Sequence, residues 1–150
     1  MPAFDKQFVA LRGQFLAMAK EPGPEPLRGA VMDLGMGHAC GTVVCAADGS
    51  TSIYFSTGGG TIGAGAHQTV AAASKAFLTA VDQRLAQFGP VVDDAPPALA
   101  KATVQFVAVT TEGLRTLTVA EADARQKTHA AYPLYAYGQN VITQIRLLSA

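Results

Sequence analysis

The chain has 150 residues, 11 basic against 11 acidic side chains, 49% hydrophobic and 15% charged residues, and no Trp. A domain of that length buries roughly two thirds of the surface its unfolded chain exposes, without disulfide or metal staples. The apolar fraction is too high for a disordered chain, and the balanced charge excludes a general nucleic-acid-binding surface.

No window reaches the ~18 uninterrupted apolar residues of a membrane span, so no membrane partner is expected. The start Met1-Pro2-Ala3-Phe4-Asp5-Lys6 carries an acid where a secretory signal is basic, and no long apolar run follows. A cytoplasmic location is therefore the expectation. Phe4, Phe8, Leu11, Phe15 and Met18 step by four, three, four and three, which predicts one helical stripe within residues 1–20. Glu21-Pro22-Gly23-Pro24-Glu25-Pro26 stops that helix and makes 21–28 a stiff linker, because each Pro lacks a donor and extends the residue before it. The helix docks on its own sheet in the simpler reading, or on a partner subunit in the alternative.

Beyond the linker, residues 29–150 read as the body of a single domain spanning 1–150. Ala30 to Met36, Gly41 to Ala47 and Thr51 to Ser56 read as strands, with Asp48-Gly49 as the turn between the last two. The glycine run Thr57 to Gly65 leads to a helix from Ala66 to Phe88, stopped by Gly89-Pro90. Thr103 to Thr110 and Leu114 to Val119 form a second hairpin, and a last helix runs from Pro133 to Leu148. An offset of 64 residues superposes Val43 on Val107 and Ile53 on Leu117. It also carries Val70, Ser74, Phe77 and Val81 onto Leu134, Gly138, Val141 and Ile145. The fold class is α+β: an antiparallel sheet of about five strands with two hairpin-helix units and an additional N-terminal helix. Cys40 and Cys45 have opposite parity in one strand, so they point to opposite faces and stay reduced.

The stretch from Gly41 to Gly49, the return strand, and the helix sequence Val70-Ala71-Ala72-Ala73-Ser74-Lys75-Ala76-Phe77-Leu78 resemble the roadblock/LC7 group within the profilin-like and longin-like folds. The likeness covers about residues 40 to 148. It implies a non-enzymatic homodimer, paired through the central helix and an edge strand, that acts as a scaffold or small-GTPase partner. The extra strand at 30–36 and the glycine run depart from that pattern. On a helical wheel Ala73, Ala76 and Ala80 form a small-residue strip beside the core stripe, which makes them candidate dimer-interface residues. The alternative is that Ala is simply a good helix former.

Candidate chemistry is sparse. Gly58-x-Gly60-x-x-Gly63 has the dinucleotide spacing, but the strand before it belongs to a hairpin and no acid ends a following parallel strand. The run also lacks the Gly-Lys-Ser/Thr ending of a P-loop. The loop residues Gly58, Gly59, Gly60, Thr61 and Gly63, with His67 at the helix start and His129 and Tyr132 before the last helix, are candidate small-ligand or anion contacts. His38, Cys40, Cys45 and His67 do not reproduce zinc-ligand spacing, so no metal and no cofactor are expected. Glu121, Asp123, Arg125 and Lys127 read as a solvated connector. The leading expectation is a homodimeric binding or scaffold protein with a possible further protein partner. The alternative is a small-ligand domain or enzyme that uses the glycine loop.

Overall fold

The computed structural model describes residues 4–20, 26–92 and 100–149. Its first helix, α1 (Lys6–Leu16), starts where the Asp5 carboxylate accepts hydrogen bonds from the amides of Gln7 (2.9 Å) and Phe8 (3.2 Å). That carboxylate satisfies two of the four amides a helix start leaves unpaired. Most of the Pro-rich linker, residues 21–25, lies outside the described residues. The chain then enters a meander of β1 (Leu27–Gly35), β2 (Cys40–Ala46) and β3 (Thr51–Phe55). A hairpin of β6 (Thr103–Thr110) and β7 (Gly113–Ala120) pairs beside β1, while two-residue strands β4 (Gly60–Thr61) and β5 (Val91–Val92) lie at the two edges. Every pairing is antiparallel, and the order is β4-β3-β2-β1-β6-β7-β5. The sheet thus has five longer strands, as expected, plus two short edges that the sequence did not signal.

Side chains alternate across the sheet and divide the core in two. On one face Ala30, Met32, Val43, Cys45, Ile53, Val104, Phe106 and Ala108 pack under α2 (Gln68–Gln83) and α4 (Tyr132–Leu147). The rings of Phe77 and Phe106 meet there with centroids 6.4 Å apart, the tilted geometry that aromatic quadrupoles favour. On the other face Val31, Cys40, Val44, Tyr54, Val107, Val109 and Leu114 pack with Phe8 and Leu16 of α1. Helices on both faces explain why every residue of β2 is buried. The two cysteines fall in different clusters and are unpaired thiols, as their parity required.

Element boundaries differ from the expected ones in instructive places. β1 begins three residues early, at Leu27, because Leu27 is already in the core. The second helix ends at Gln83 rather than continuing to Phe88, and a single tight turn (Leu85–Gln87) follows it. That turn buries Phe88 and lets the Gly89 amide donate to the Thr116 carbonyl of β7 at 2.8 Å. The segment after β7 forms one helical turn, α3 (Glu121–Ala124), with Ala124 fully buried.

Ala102 is the one non-glycine with positive φ among the described residues, at 59°. Its amide donates to the Gly35 carbonyl (3.0 Å) and its carbonyl accepts from the Glu121 amide (2.8 Å), so it ties together the ends of β1, β6 and β7. A β-carbon in left-handed geometry costs about 1–2 kcal/mol. Ala102→Gly is expected to raise stability by about 1 kcal/mol, partly offset by the greater freedom of unfolded glycine. An unchanged or lowered urea midpoint would contradict that strain.

Candidate functional site

The glycine-rich loop is a structural turn that returns the chain from β3 to β4. Gly58 donates from its amide to the Phe55 carbonyl (2.9 Å), and Phe55 donates to the Gly59 carbonyl (3.1 Å). Gly58, Gly59 and Gly60 all have positive φ, and a β-carbon at Gly60 would strike the Ile53 carbonyl of β3. Thr61 pairs with Ile53, and the Gly63 amide donates to Ser52 Oγ at 3.1 Å. The loop borders a small crevice of about 170 Å³ against α1, lined by Phe8, Leu11, Tyr54, Phe55 and Ile62 with Asp5. Among the described residues its only charged lining group is that carboxylate, which suits an anion poorly.

The remaining candidate ligand residues do not join this loop. His67 is exposed at the start of α2 and makes no side-chain cap. His129 Nδ1 accepts from the Ala131 amide at 3.0 Å, and half-buried Tyr132 begins α4. These two follow β7 and α3, whereas the glycine loop lies at the β3–β4 edge. Three strands separate β3 from β7, a width of roughly 20 Å. The structure keeps Gly58, Gly59, Gly60, Thr61 and Gly63 at the β3–β4 edge, sets His67 at the start of α2, and places His129 and Tyr132 after β7 and α3.

The small-residue strip of α2 also turns out to face inward. Ala73 and Ala80 are 5% and 2% exposed and belong to the same cluster as Leu134, Val141 and Ile145 of α4, while Ala76 is half-buried. The close approach that small side chains allow is spent within the chain, between α2 and α4. The bare Gly138 of α4 contributes, since a β-carbon there would overlap Met32 and press on Phe77. A second copy thus has no access to Ala73 and Ala80.

What α2 offers outward is a different row. Ala71, Lys75, Leu78, Thr79 and Asp82 form one wall of an open groove of about 600 Å³. The other wall is the β2–β3 turn, Ala46 to Gly49, together with Pro26 and Leu27 at the start of β1. The turn is hydrogen-bonded within itself: Asp48 accepts from the Ser50 amide at 2.9 Å, and this bond holds its carboxyl below the ordinary carboxylate range. Gly65, just ahead of α2, lies so close to the Gly49 carbonyl that both walls are fixed relative to each other.

Two polar clusters went unnoticed in the sequence. Beneath α1, Arg12 forms a bidentate pair with Asp33 (Nη2–Oδ2 2.7 Å, Nε–Oδ1 3.3 Å), and Thr42 Oγ1 donates to Asp33 Oδ1 at 2.6 Å. Near α4, the Tyr135 hydroxyl donates to Glu121 Oε2 at 2.8 Å and accepts from Arg125 Nε at 3.3 Å. Burial raises the Tyr135 hydroxyl above its ordinary pKa. The connector 121–127 is therefore partly latched to α4 rather than wholly solvated.

Neither thiol is activated. Burial and then the Asp33 charge push Cys40 up to about 11, against the opposing Thr42 hydrogen bond, and burial pushes Cys45 up to about 12. Both stay protonated at neutral pH, where the thiolate is the reactive species. Ellman's reagent is expected to leave both untouched in the folded protein and to titrate two thiols after unfolding. The unfolded thiols ionise near 9 while the folded ones hold their protons. Stability therefore falls as pH rises above 9, and the Cys40→Ala/Cys45→Ala chain should show a flatter decline. An equal slope in both chains would exclude the thiols as its source.

Among the described residues no three His, Cys, Asp or Glu side chains are grouped to hold a metal ion, and no helix is long and apolar enough to cross a membrane. Neither a protein-family model, nor a curated protein, nor a solved structure matches the chain. Function must be read from the surface itself.

Proposed function

We propose that this chain is a non-catalytic docking domain, of the scaffold kind that the roadblock-like sequence pattern implies, and that it receives a folded protein partner in the groove along α2. The observation that carries the reading is the groove itself. It is an open channel of about 600 Å³ between a helix and a hydrogen-bonded turn, with Leu27, Ala46, Ala71 and Leu78 along it and, among the described residues, charges only at Asp48, Lys75 and Asp82. Apolar floor and polar rim are the anatomy of a protein-docking surface. The protonated thiols and the mutually neutralised Arg12–Asp33 pair support the same reading, because they place the buried reactive groups in structural roles.

The test is site-specific photo-crosslinking in the native host, with a benzoylphenylalanine at Thr79 in the groove or at exposed Thr118 on β7. A polypeptide adduct is expected from position 79 and not from 118, and Leu78→Glu should suppress it. No adduct from position 79 would refute a docking role for this groove.

A further inference from the structure

We infer that the β4 edge of the sheet, with the crevice beside α1, receives an extended peptide segment as an added strand, one that carries an apolar residue and a Lys or Arg two positions from it. This surface shares no lining residue with the α2 groove, so the inference stands apart from the docking role proposed there. β3 turns alternate residues to its two neighbours, as antiparallel strands do. Ser56 donates to the Cys40 carbonyl of β2 at 2.9 Å, and Phe55 donates to the Gly59 carbonyl on the other side at 3.1 Å. Ile53, two residues from Phe55, therefore faces Thr61 of β4. The same alternation turns the backbone groups of Gly60 and Ile62 to the outside of the sheet, where none has a backbone partner among the described residues. Natural edges are blunted by charge or by Pro. The opposite edge has that protection in its sequence, since Pro90 precedes β5 and Asp93 and Asp94 follow it, whereas 57–66 contain neither a charge nor a Pro.

The crevice beside this edge suits a side chain. Its volume of about 170 Å³ is close to that of cavities that hold one benzene-sized group, and Phe8, Leu11, Phe55 and Ile62 are its apolar walls. Ile62 is 62% exposed, the most of any large hydrophobic residue among those described. Successive side chains of a strand alternate between faces, so a strand laid against β4 puts every second residue on the α1 face and one of them into the crevice. The walls are held together without a peptide, because the Asp5 amide donates to the Ser56 carbonyl at 2.8 Å and ties the start of α1 to the end of β3. Charge selects the second residue. Asp5 is the one charged group lining the crevice among the described residues, and its Oδ1 takes both helix amides, which leaves Oδ2 open to a cation. A Lys or Arg two positions from the apolar residue lies on the same face of the added strand and meets that oxygen. Main-chain bonds then supply affinity, and the crevice and carboxylate supply selectivity.

Selection of a phage-displayed library of random linear heptapeptides on the full chain tests this. Enrichment of an apolar residue with Lys or Arg two positions away is expected. A synthetic peptide of that pattern should bind Ile62→Lys about tenfold more weakly or worse, because like charges then meet at the edge. Asp5→Asn should weaken it about threefold, the size of a solvent-exposed ion pair. Leu78→Glu in the α2 groove should leave it unchanged. Ile62 is exposed and Asn caps a helix as well as Asp does, so both edge variants should keep the original thermal midpoint. The backbone contribution is read separately: N-methylation along the peptide should abolish binding at alternate positions and spare those between. No enrichment of the pattern, a peptide indifferent to Ile62→Lys or to Asp5→Asn, or N-methylation tolerated at every position would each overturn the inference. So would a self-association of the chain that Ile62→Lys abolishes, since a second copy would then occupy the edge.

Discussion

Arg12→Ala or Asp33→Ala is expected to cost about 3–5 kcal/mol, a large part of the total stability of a domain this size. Arg12 is 2% exposed and Asp33 0%, so Arg12→Ala leaves the Asp33 carboxylate without its guanidinium between α1 and the sheet, and Asp33→Ala takes that carboxylate from the buried Arg12. Asp33 sits in the central strand opposite Thr42 and Gln105, and there Thr42 supplies a second donor to the carboxylate. The mechanism is the uncompensated charge and not the lost attraction. Replacing the pair together, as Arg12→Met with Asp33→Leu, should therefore come within about 2 kcal/mol of the original chain. Urea unfolding of the two single variants and the pair checks this. Single changes as mild as the pair would show that water reaches the site and that α1 is not sealed on the sheet.

Gly65→Ala is expected to destabilise by about 3 kcal/mol or more, through overpacking that no rotamer can relieve. The new methyl would meet backbone, the Gly49 carbonyl and the Thr51 amide, at the place where the chain passes from the glycine run toward α2. Gly59→Ala and Gly63→Ala make a useful contrast. Each has positive φ but open space around it, so each should lose only the left-handed penalty of about 1–2 kcal/mol. Thermal unfolding of the three variants gives the order. If Gly65→Ala were the mildest, the β2–β3 turn would have to yield, and the groove between it and α2 would not be rigid.

The glycine run shows where sequence reading reached its limit. Its composition said that side chains were unwelcome between a strand and a helix. The cause, a tight return to β4 and a close approach to a turn some fifteen residues earlier, is a contact distant in sequence. A ligand and a neighbouring backbone both demand glycine, and only coordinates separate the two. The Ala strip behaved in the same way: small residues at helical spacing announced a close neighbour, which proved to be α4 of the same chain.

The 64-residue repeat was legible in the helices. Val70, Ser74, Phe77 and Val81 and their counterparts Leu134, Gly138, Val141 and Ile145 are all buried. In the hairpins it slips. Ile53 and Leu117 share a face, but Val43 lies under α2 and α4 while Val107 lies under α1. Val43 pairs with Ile53, whereas Leu117 pairs with Phe106, one residue away from the counterpart expected. The turns differ in length, and with a side-chain period of two a one-residue difference moves a residue to the opposite face.

Periodicity and turn chemistry alone determined the α+β class, the helix–hairpin–helix order and the opposed cysteines, because those follow from local backbone preference and from which side chains shun water. Arg12 could not be found that way. It lies one step from a stripe of large apolar residues and reads as a solvated cation, until the sheet brings Asp33, 21 residues on, beneath it. Tertiary structure likewise decided which face of α2 is spent on α4 and which is left outward with Lys75 and Asp82. A helix advertises its apolar faces in sequence, but which neighbour covers each one is set by contacts between segments far apart in the chain.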